Sequence, residues 1–339
     1  MRLAADRPAE QRGLARDGVR LLVATTDGLA HARFADLPRF LTPGDLLVVN
    51  TSATMAAAVD GRRAGSRPVT VHFSTPLDDG CWVVELRDGD NARGRVTDGE
   101  PAETITLPGH VALTLLYRYP DPAADRLWVA SITGQGLDGS MERYLARHGR
   151  PIRYSYVPDE WPLAAYQTVF ARDPGSAEMP SAGRPFTKDL VVDVITAGVP
   201  IAPITLHAGV GSLEAGELPL PERFAVPEPT ARLVNLTRSA GRRVIAVGTT
   251  VTRALESAAD PDGTVRSAHG WTELVLGCDR PARVVQGLIT GWHDPEASHL
   301  ALLEAVAGAA LVKAAYSEAE QARYLGHEFG DSCLLLPVM

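Results

Sequence analysis

The sequence predicts an α/β main domain built on a mainly parallel sheet, with a small antiparallel β-barrel domain inserted into it. Three observations point there. From about residue 158 onward, short apolar runs alternate with helical patterns, the signature of strands joined by crossover helices. A similar strand-bearing unit opens the chain. Between about residues 56 and 156 the texture changes to short β runs broken by glycine and proline, which is how small antiparallel barrels read. The expected boundaries are 1–56 with 157–339 for the main domain and 57–156 for the insert. A chain of 339 residues is long enough for two such units.

In order, residues 19–24 form a short apolar run, 34–40 carry apolar residues at near-helical spacing, and Pro43-Gly44-Asp45 makes a turn. Residues 46–50 (Leu-Leu-Val-Val-Asn) are a continuous apolar run of the kind buried on both faces of a sheet, ending on polar Asn50-Thr51-Ser52. The insert offers β runs at 69–73, 81–86, 104–107, 111–117 and 127–130. Beyond it, 188–197 is amphipathic, 201–206 is an apolar strand, and 230–241 is a helix closed by glycine. Residues 243–247 form another buried strand, 251–258 a helix and 284–289 a third strand. Residues 298–315 read as one long helix rich in alanine and leucine.

Hydrophobic residues make up 45% and charged residues 22%, the balance of a folded chain and not of a disordered one. The three cysteines are scattered, without CxxC or His/Cys spacing, so neither a disulfide framework nor a metal site is expected; they read as reduced core thiols. The N-terminus has no apolar signal region and no uninterrupted apolar stretch of about 18 residues occurs, so a cytoplasmic location and no membrane partner are expected. A formal net charge of -8 argues against a surface made for non-specific nucleic-acid binding. Basic residues do gather locally, at Arg62, Arg63 and Arg67 and at Arg143, Arg147, Arg150 and Arg153.

Polar groups recur where strands end. An apolar strand passes through Thr205 and ends on His207, then enters the glycine-alternating loop Ala208-Gly209-Val210-Gly211. A buried strand runs into Gly248-Thr249-Thr250 and opens a helix carrying Arg253 and Glu256 on one face, a pattern suited to holding an anion. A third strand ends in Gly291-Trp292-His293. Parallel strands bring their carboxyl ends together, so these three ends define one edge, the usual ligand edge of an open α/β sheet.

In combination these blocks resemble the S-adenosylmethionine:tRNA ribosyltransferase-isomerases of queuosine biosynthesis. The likeness rests on residues 205–211, residues 246–258, the His293 turn and Gly330-Asp331. It extends to 34–38, 43–50 and 166–171, so it covers most of the chain. It implies an α/β domain with an inserted barrel, and a reaction that takes no metal and no cofactor beyond S-adenosylmethionine as substrate. In that reaction the ribosyl part of S-adenosylmethionine goes to a 7-aminomethyl-7-deazaguanine base in tRNA and is rearranged to an epoxycyclopentane, releasing adenine and methionine. The sulfonium acidifies the C5′ proton; a base removes it and an acid helps adenine leave. On this likeness His207 and His293 are expected to share proton transfer, and Thr249, Thr250 and Arg253 to hold the adenosyl or methionyl portion. Asn50, Ser181 and Gly183 would close the pocket. Thr51, Thr205, Gly209, Gly211, Gly248, Glu256 and Asp331 complete the expected substrate-binding set.

The chain also departs from the family. Thr51-Ser52-Ala53-Thr54-Met55 follows Asn50 where the family carries Asp-Thr-Arg, Pro185 stands where it has a histidine, and its Asn-Phe-His-Leu-Pro turn is here Gly291-Trp292-His293-Asp294-Pro295. Three readings therefore remain at this stage. The chain modifies tRNA, or it is a paralogue that uses or cleaves S-adenosylmethionine with a small acceptor or none, or it is a non-catalytic adenosyl-ligand sensor.

Overall fold

A computed structural model describes residues 4–89, 94–137, 139–153, 156–211, 218–293, 299–326 and 328–337. The chain opens with the hairpin β1 (Arg20–Thr25) and β2 (Gly28–Arg33), a 3-10 turn at Phe34–Phe40, and β3 (Leu46–Asn50), whose five residues are all buried. A short β4 (Ser52–Thr54) leads into β5 (Ala58–Arg62), β6 (Pro68–Pro76), β7 (Trp82–Asp88), β8 (Thr104–Leu107), β9 (Val111–Tyr119) and β10 (Leu127–Gly134), followed by α1 (Met141–His148). The chain then returns through β11 (Asp173–Ser176), which pairs in parallel with β4.

Next come α2 (Lys188–Thr196), β12 (Ile201–Leu206), β13 (Glu222–Val226), α3 (Glu228–Ser239), β14 (Val244–Val247) and α4 (Thr249–Ser257). The chain closes with β15 (Ala268–Thr272), β16 (Gly287–Gly291), α5 (His299–Ala307), α6 (Ala309–Gln321) and β17 (Ser332–Leu336).

Nine strands form one sheet in the order β15-β13-β12-β3-β14-β16-β17-β1-β2. This sheet is mixed, which corrects the expectation of a mainly parallel one. The pairs β12–β3, β3–β14, β14–β16 and β17–β1 are parallel, while β15–β13, β13–β12, β16–β17 and β1–β2 are antiparallel. The four central strands β12, β3, β14 and β16 are all parallel, and the antiparallel pairs lie toward the two flanks, where hairpin-type connections such as β1–β2 and β12–β13 need no crossover helix. Apolar side chains of the central strands feed two cores, one on each face. Leu46, Val48, Val244 and Ala246 join the first; Leu47, Val49, Ile245 and Val247 join the second. Alternation along a strand requires this division.

Apart from the β4–β11 pair, the remaining six strands pair antiparallel in the cyclic order β10-β7-β6-β5-β8-β9 around their own apolar core. They come from one continuous stretch of chain between β4 and α1.

Three local expectations change. The long helix expected over 298–315 is two helices, α5 and α6, meeting at 120°. Gly308 sits at the break with φ +79°, a backbone state that costs residues with a Cβ. The strand expected at 284–289 begins only at Gly287, because the N–H groups of Arg283, Val284 and Val285 bind the Glu256 carboxylate at 2.8–3.0 Å and not a neighbouring strand. Of the three cysteines only Cys333 is a core thiol; Cys81 is half-buried and Cys278 exposed. No single helix among the described residues is long and apolar enough to cross a membrane.

Candidate active site

A cavity of about 350 Å³ opens at the edge of the sheet where β12, β14 and β16 end, with β3 between the first two. That volume falls in the usual range for small-molecule sites. One wall is the loop Ala208–Gly211, the continuation of β12. A second is Gly248-Thr249-Thr250, where β14 turns into α4. The third is Thr290 and His293 at the end of β16, with His299 and Leu302 from α5 beside them. Ser181 and Ala182 lie between these walls, and residues 274–276 supply an apolar floor.

Gly248 adopts φ +100° and donates its N–H to the Ile289 carbonyl at 2.8 Å, so the turn into α4 is tied to β16. No side chain caps α4, leaving the N–H groups of its first turn at the cavity wall, where the helix dipole favours negative charge.

Of the residues expected from sequence, the structure brings Ser181, Gly209, Gly211, Gly248, Thr249, Thr250, Arg253 and His293 to this cavity. The others stand elsewhere. The His207 ring turns away from it, toward β4 and β11. Its Nδ1 lies 2.7 Å from the Ser52 hydroxyl, which contacts the Ser176 hydroxyl at 2.6 Å. A Cβ on Gly175 would meet the ring at 2.4 Å, so that glycine makes room for the imidazole. Burial lowers the His207 pKa, with nearby Asp173 acting against the shift.

Asn50 is buried and bridges strands. Its amide oxygen accepts the Ser52 and Leu206 N–H groups at 3.0 Å, and its amide nitrogen donates to the Leu206 carbonyl and to Thr250. Thr51 and Thr205 join hydroxyls at 2.8 Å outside the cavity lining. Gly183 packs on Thr168 and Phe170. Asp331 lines a separate, much smaller cavity and accepts from the Arg20 guanidinium and the Leu325 N–H.

Arg253 and Glu256 do not form the expected face. Arg253 is buried, pairs with Glu222, and donates to the carbonyls of Leu274, Leu220 and Thr272 at 3.1–3.2 Å. Its fork is therefore occupied by the protein, and its place at the wall is that of a brace. Glu256, 2% exposed, points the other way into the 283–285 loop. A carboxylate three residues from an arginine reads as its partner; here each finds a stronger claim across the fold.

Four titratable lining residues were not expected from the sequence: Tyr156, Glu178, Glu222 and His299. His299 carried a readable signal, being a second histidine in the segment of His293. The two rings stack with centroids 4.4 Å apart and planes 6° from parallel. Burial, and then the Arg253 charge, lowers the His299 pKa, so it is neutral at neutral pH. Glu222 accepts from the Gly209 N–H at 3.4 Å, and burial raises its pKa against the pull of Arg253. Nothing in the local sequence marks Glu222, whose partner lies 31 residues away.

An open sheet with a ligand cavity at its carboxyl edge, beside a six-stranded antiparallel unit, defines the class of molecule: a small-molecule enzyme on a mixed α/β scaffold. The comparisons with known proteins give the family. Residues 1–335 match the pattern of the family described as "Queuosine biosynthesis protein", and the chain belongs to that family. It is 35% identical to the S-adenosylmethionine:tRNA ribosyltransferase-isomerase of Acidiphilium cryptum, over 98% of this chain and 96% of that one. Identity and coverage are the same for the enzyme of that name from Moorella thermoacetica. The crystal structure of S-adenosylmethionine tRNA ribosyltransferase from Thermotoga maritima superimposes with a TM-score of 0.53 at 27% identity, covering 98% of this chain and 96% of that one.

Proposed function

We propose that this chain is an S-adenosylmethionine:tRNA ribosyltransferase-isomerase of queuosine biosynthesis, acting in the cytoplasm. The observation that carries the reading is the coincidence of a ligand-sized cavity at three strand ends on one edge of the sheet with membership of the family over residues 1–335. In this reading residues 57–156 are an inserted barrel domain whose outer face helps to seat the tRNA. The sulfonium of the substrate supplies the activation, so the reading calls on no metal or redox cofactor.

His293 borders the reacting atoms and moves a proton there, with neutral His299 stacked against it. The free N–H groups and hydroxyls at the start of α4, from Thr249 and Thr250, hold the methionyl carboxylate. Ser181 closes the side wall, and Gly209, Gly211 and Gly248 let the backbone approach the nucleoside. Arg253 braces the wall through Glu222, and Asn50 fixes Thr250 from behind. His207 acts as a positioning residue: it locks the start of the 208–211 loop to β4 and β11 through the Ser52 and Ser176 hydroxyls.

The test is incubation with S-adenosylmethionine and tRNA bearing 7-aminomethyl-7-deazaguanine. Adenine and methionine should appear in equal amounts, together with ribosylated tRNA. Release with the free base only, or with S-adenosylmethionine alone, would overturn the tRNA assignment; binding without any product would mark a sensor.

A further inference from the structure

Glu178 lines the cavity just ahead of the Ser181 turn. Its Oε1 accepts the Gly211 N–H at 2.6 Å, and a Cβ on Gly211 would lie 2.8 Å from Oε2. The carboxylate is thus held against the glycine loop, where a Cβ on Gly211 would press on it. Of the two carboxylates in the described lining, Glu222 is drawn onto Arg253 and Glu178 is held at the backbone of the glycine loop.

A second carboxyl stands close by. Glu328 lines the smaller cavity, which shares Ser181 with the large one, and its Oε2 is shut off from water without a hydrogen-bond partner. An ionised oxygen in that state is costly, and a protonated acid is not. Burial, and then the charge of Glu178, push the Glu328 pKa up to about 8. Burial, and then the charges of the same two carboxyls, raise the Tyr156 pKa well above its ordinary value.

We propose that Glu178 is the anionic contact for a positively charged group of the ligand, with the buried Glu328 carboxyl standing behind it. This rests on the reading of the chain as an S-adenosylmethionine enzyme, and it names how that site selects its ligands. Two groups in that chemistry are cations: the sulfonium of S-adenosylmethionine and the aminomethyl group of the deazaguanine. A sulfonium accepts and donates no hydrogen bond, so its recognition is coulombic and strengthens where water is excluded. An ammonium would add charge-assisted hydrogen bonds.

Two ligand pairs that differ in charge separate these sources. Calorimetric affinities would be measured for S-adenosylmethionine against S-adenosylhomocysteine, and for 7-aminomethyl- against 7-methyl-7-deazaguanine, on the wild-type chain and on Glu178→Gln. The wild type should favour the cation about tenfold or more in one pair, and the variant should bind both members of that pair alike. The levelled pair identifies the group recognised. Glu178→Asp, which keeps the charge but draws it back, should retain part of the preference, and it carries the test if the glutamine variant does not fold. A wild type that binds these ligands without charge preference in either pair, or a variant that keeps the preference, overturns the proposal and leaves the enzyme reading standing. A wild type that binds none of the four overturns both.

Discussion

His207 and His293 end strands on the same edge of the sheet, yet only the second presents its ring to the cavity. The consequence is measurable. Replacing His293 with alanine removes a group placed for proton transfer, and adenine release at saturating substrate should fall by about a hundredfold or more. Replacing His207 with alanine loosens the 208–211 loop from the Ser52 and Ser176 hydroxyls, so KM for S-adenosylmethionine should rise while kcat falls less than about tenfold. The opposite ranking would place His207 at the reacting atoms.

Glu328 gives a second residue-level prediction. Its folded-state pKa is raised, so between the ordinary carboxylate value and about 8 the native state holds a proton that the unfolded chain has released. Its stabilising share is complete below the ordinary value and is lost as pH rises through that window. The melting temperature of the wild type, measured against Glu328→Gln, should therefore decline from pH 5 to pH 8. A flat difference would show that Glu328 ionises normally.

Among the elements, buried strands were the most legible part of the fold. Leu46-Leu47-Val48-Val49 can satisfy its side chains only between two apolar layers, and it sits there as β3. The break between α5 and α6 was not legible, because Ala307-Gly308-Ala309-Ala310 looks like uninterrupted helix and a lone glycine inside a helical pattern is common. The flanking strands β13 and β15 were hidden for another reason: they pair antiparallel, and pairing direction is fixed by chain geometry, not composition. At the site, strand ends were readable because polar residues follow apolar runs. The partners of Arg253 and Glu256 were not, since each lies more than twenty residues away in sequence. Gly308 also carries a prediction. Open space surrounds the position of its missing Cβ, so Gly308→Ala meets no clash and only the backbone penalty remains. Stability to denaturant should drop by about 1 kcal/mol, with activity retained.

At the scale of the whole molecule, four arginines of the basic runs are drawn onto carboxylates. Arg63 and Arg67 pair with Glu103 and Asp98, Arg150 with Asp60, and Arg153 with Glu160, consistent with the net charge of -8. What joins the two sheets is instead a buried polar seam. The Ser74 hydroxyl of β6 accepts the Val210 N–H at 2.9 Å, and Arg126, next to β10, donates to the Gly211 carbonyl at 3.0 Å. The same guanidinium lies 3.6 Å from the Glu85 carboxylate, which Arg87 also faces at 2.9 Å, and all three side chains are buried. The seam therefore ends on the two loop residues that line the ligand cavity.

A change made on the antiparallel side should consequently be felt across the seam. Arg126→Met keeps most of the side-chain volume but removes the bond to Gly211 and part of the charge compensating Glu85. The lost hydrogen bond alone is worth about 1 kcal/mol, and leaving Glu85 with a single arginine adds to the destabilisation, so the melting temperature should fall. Because the 208–211 loop loses its anchor, affinity for S-adenosylmethionine should weaken by about three- to tenfold although Arg126 itself does not line the cavity. Glu85→Gln made together with Arg126→Met strips buried Arg87 of its counter-charge as well, so it should lower the melting temperature further and leave the affinity where the single variant put it. Recovery of affinity in the double variant would locate the coupling in the charge; unaltered affinity in the single variant would show that the loop is held from the main sheet alone.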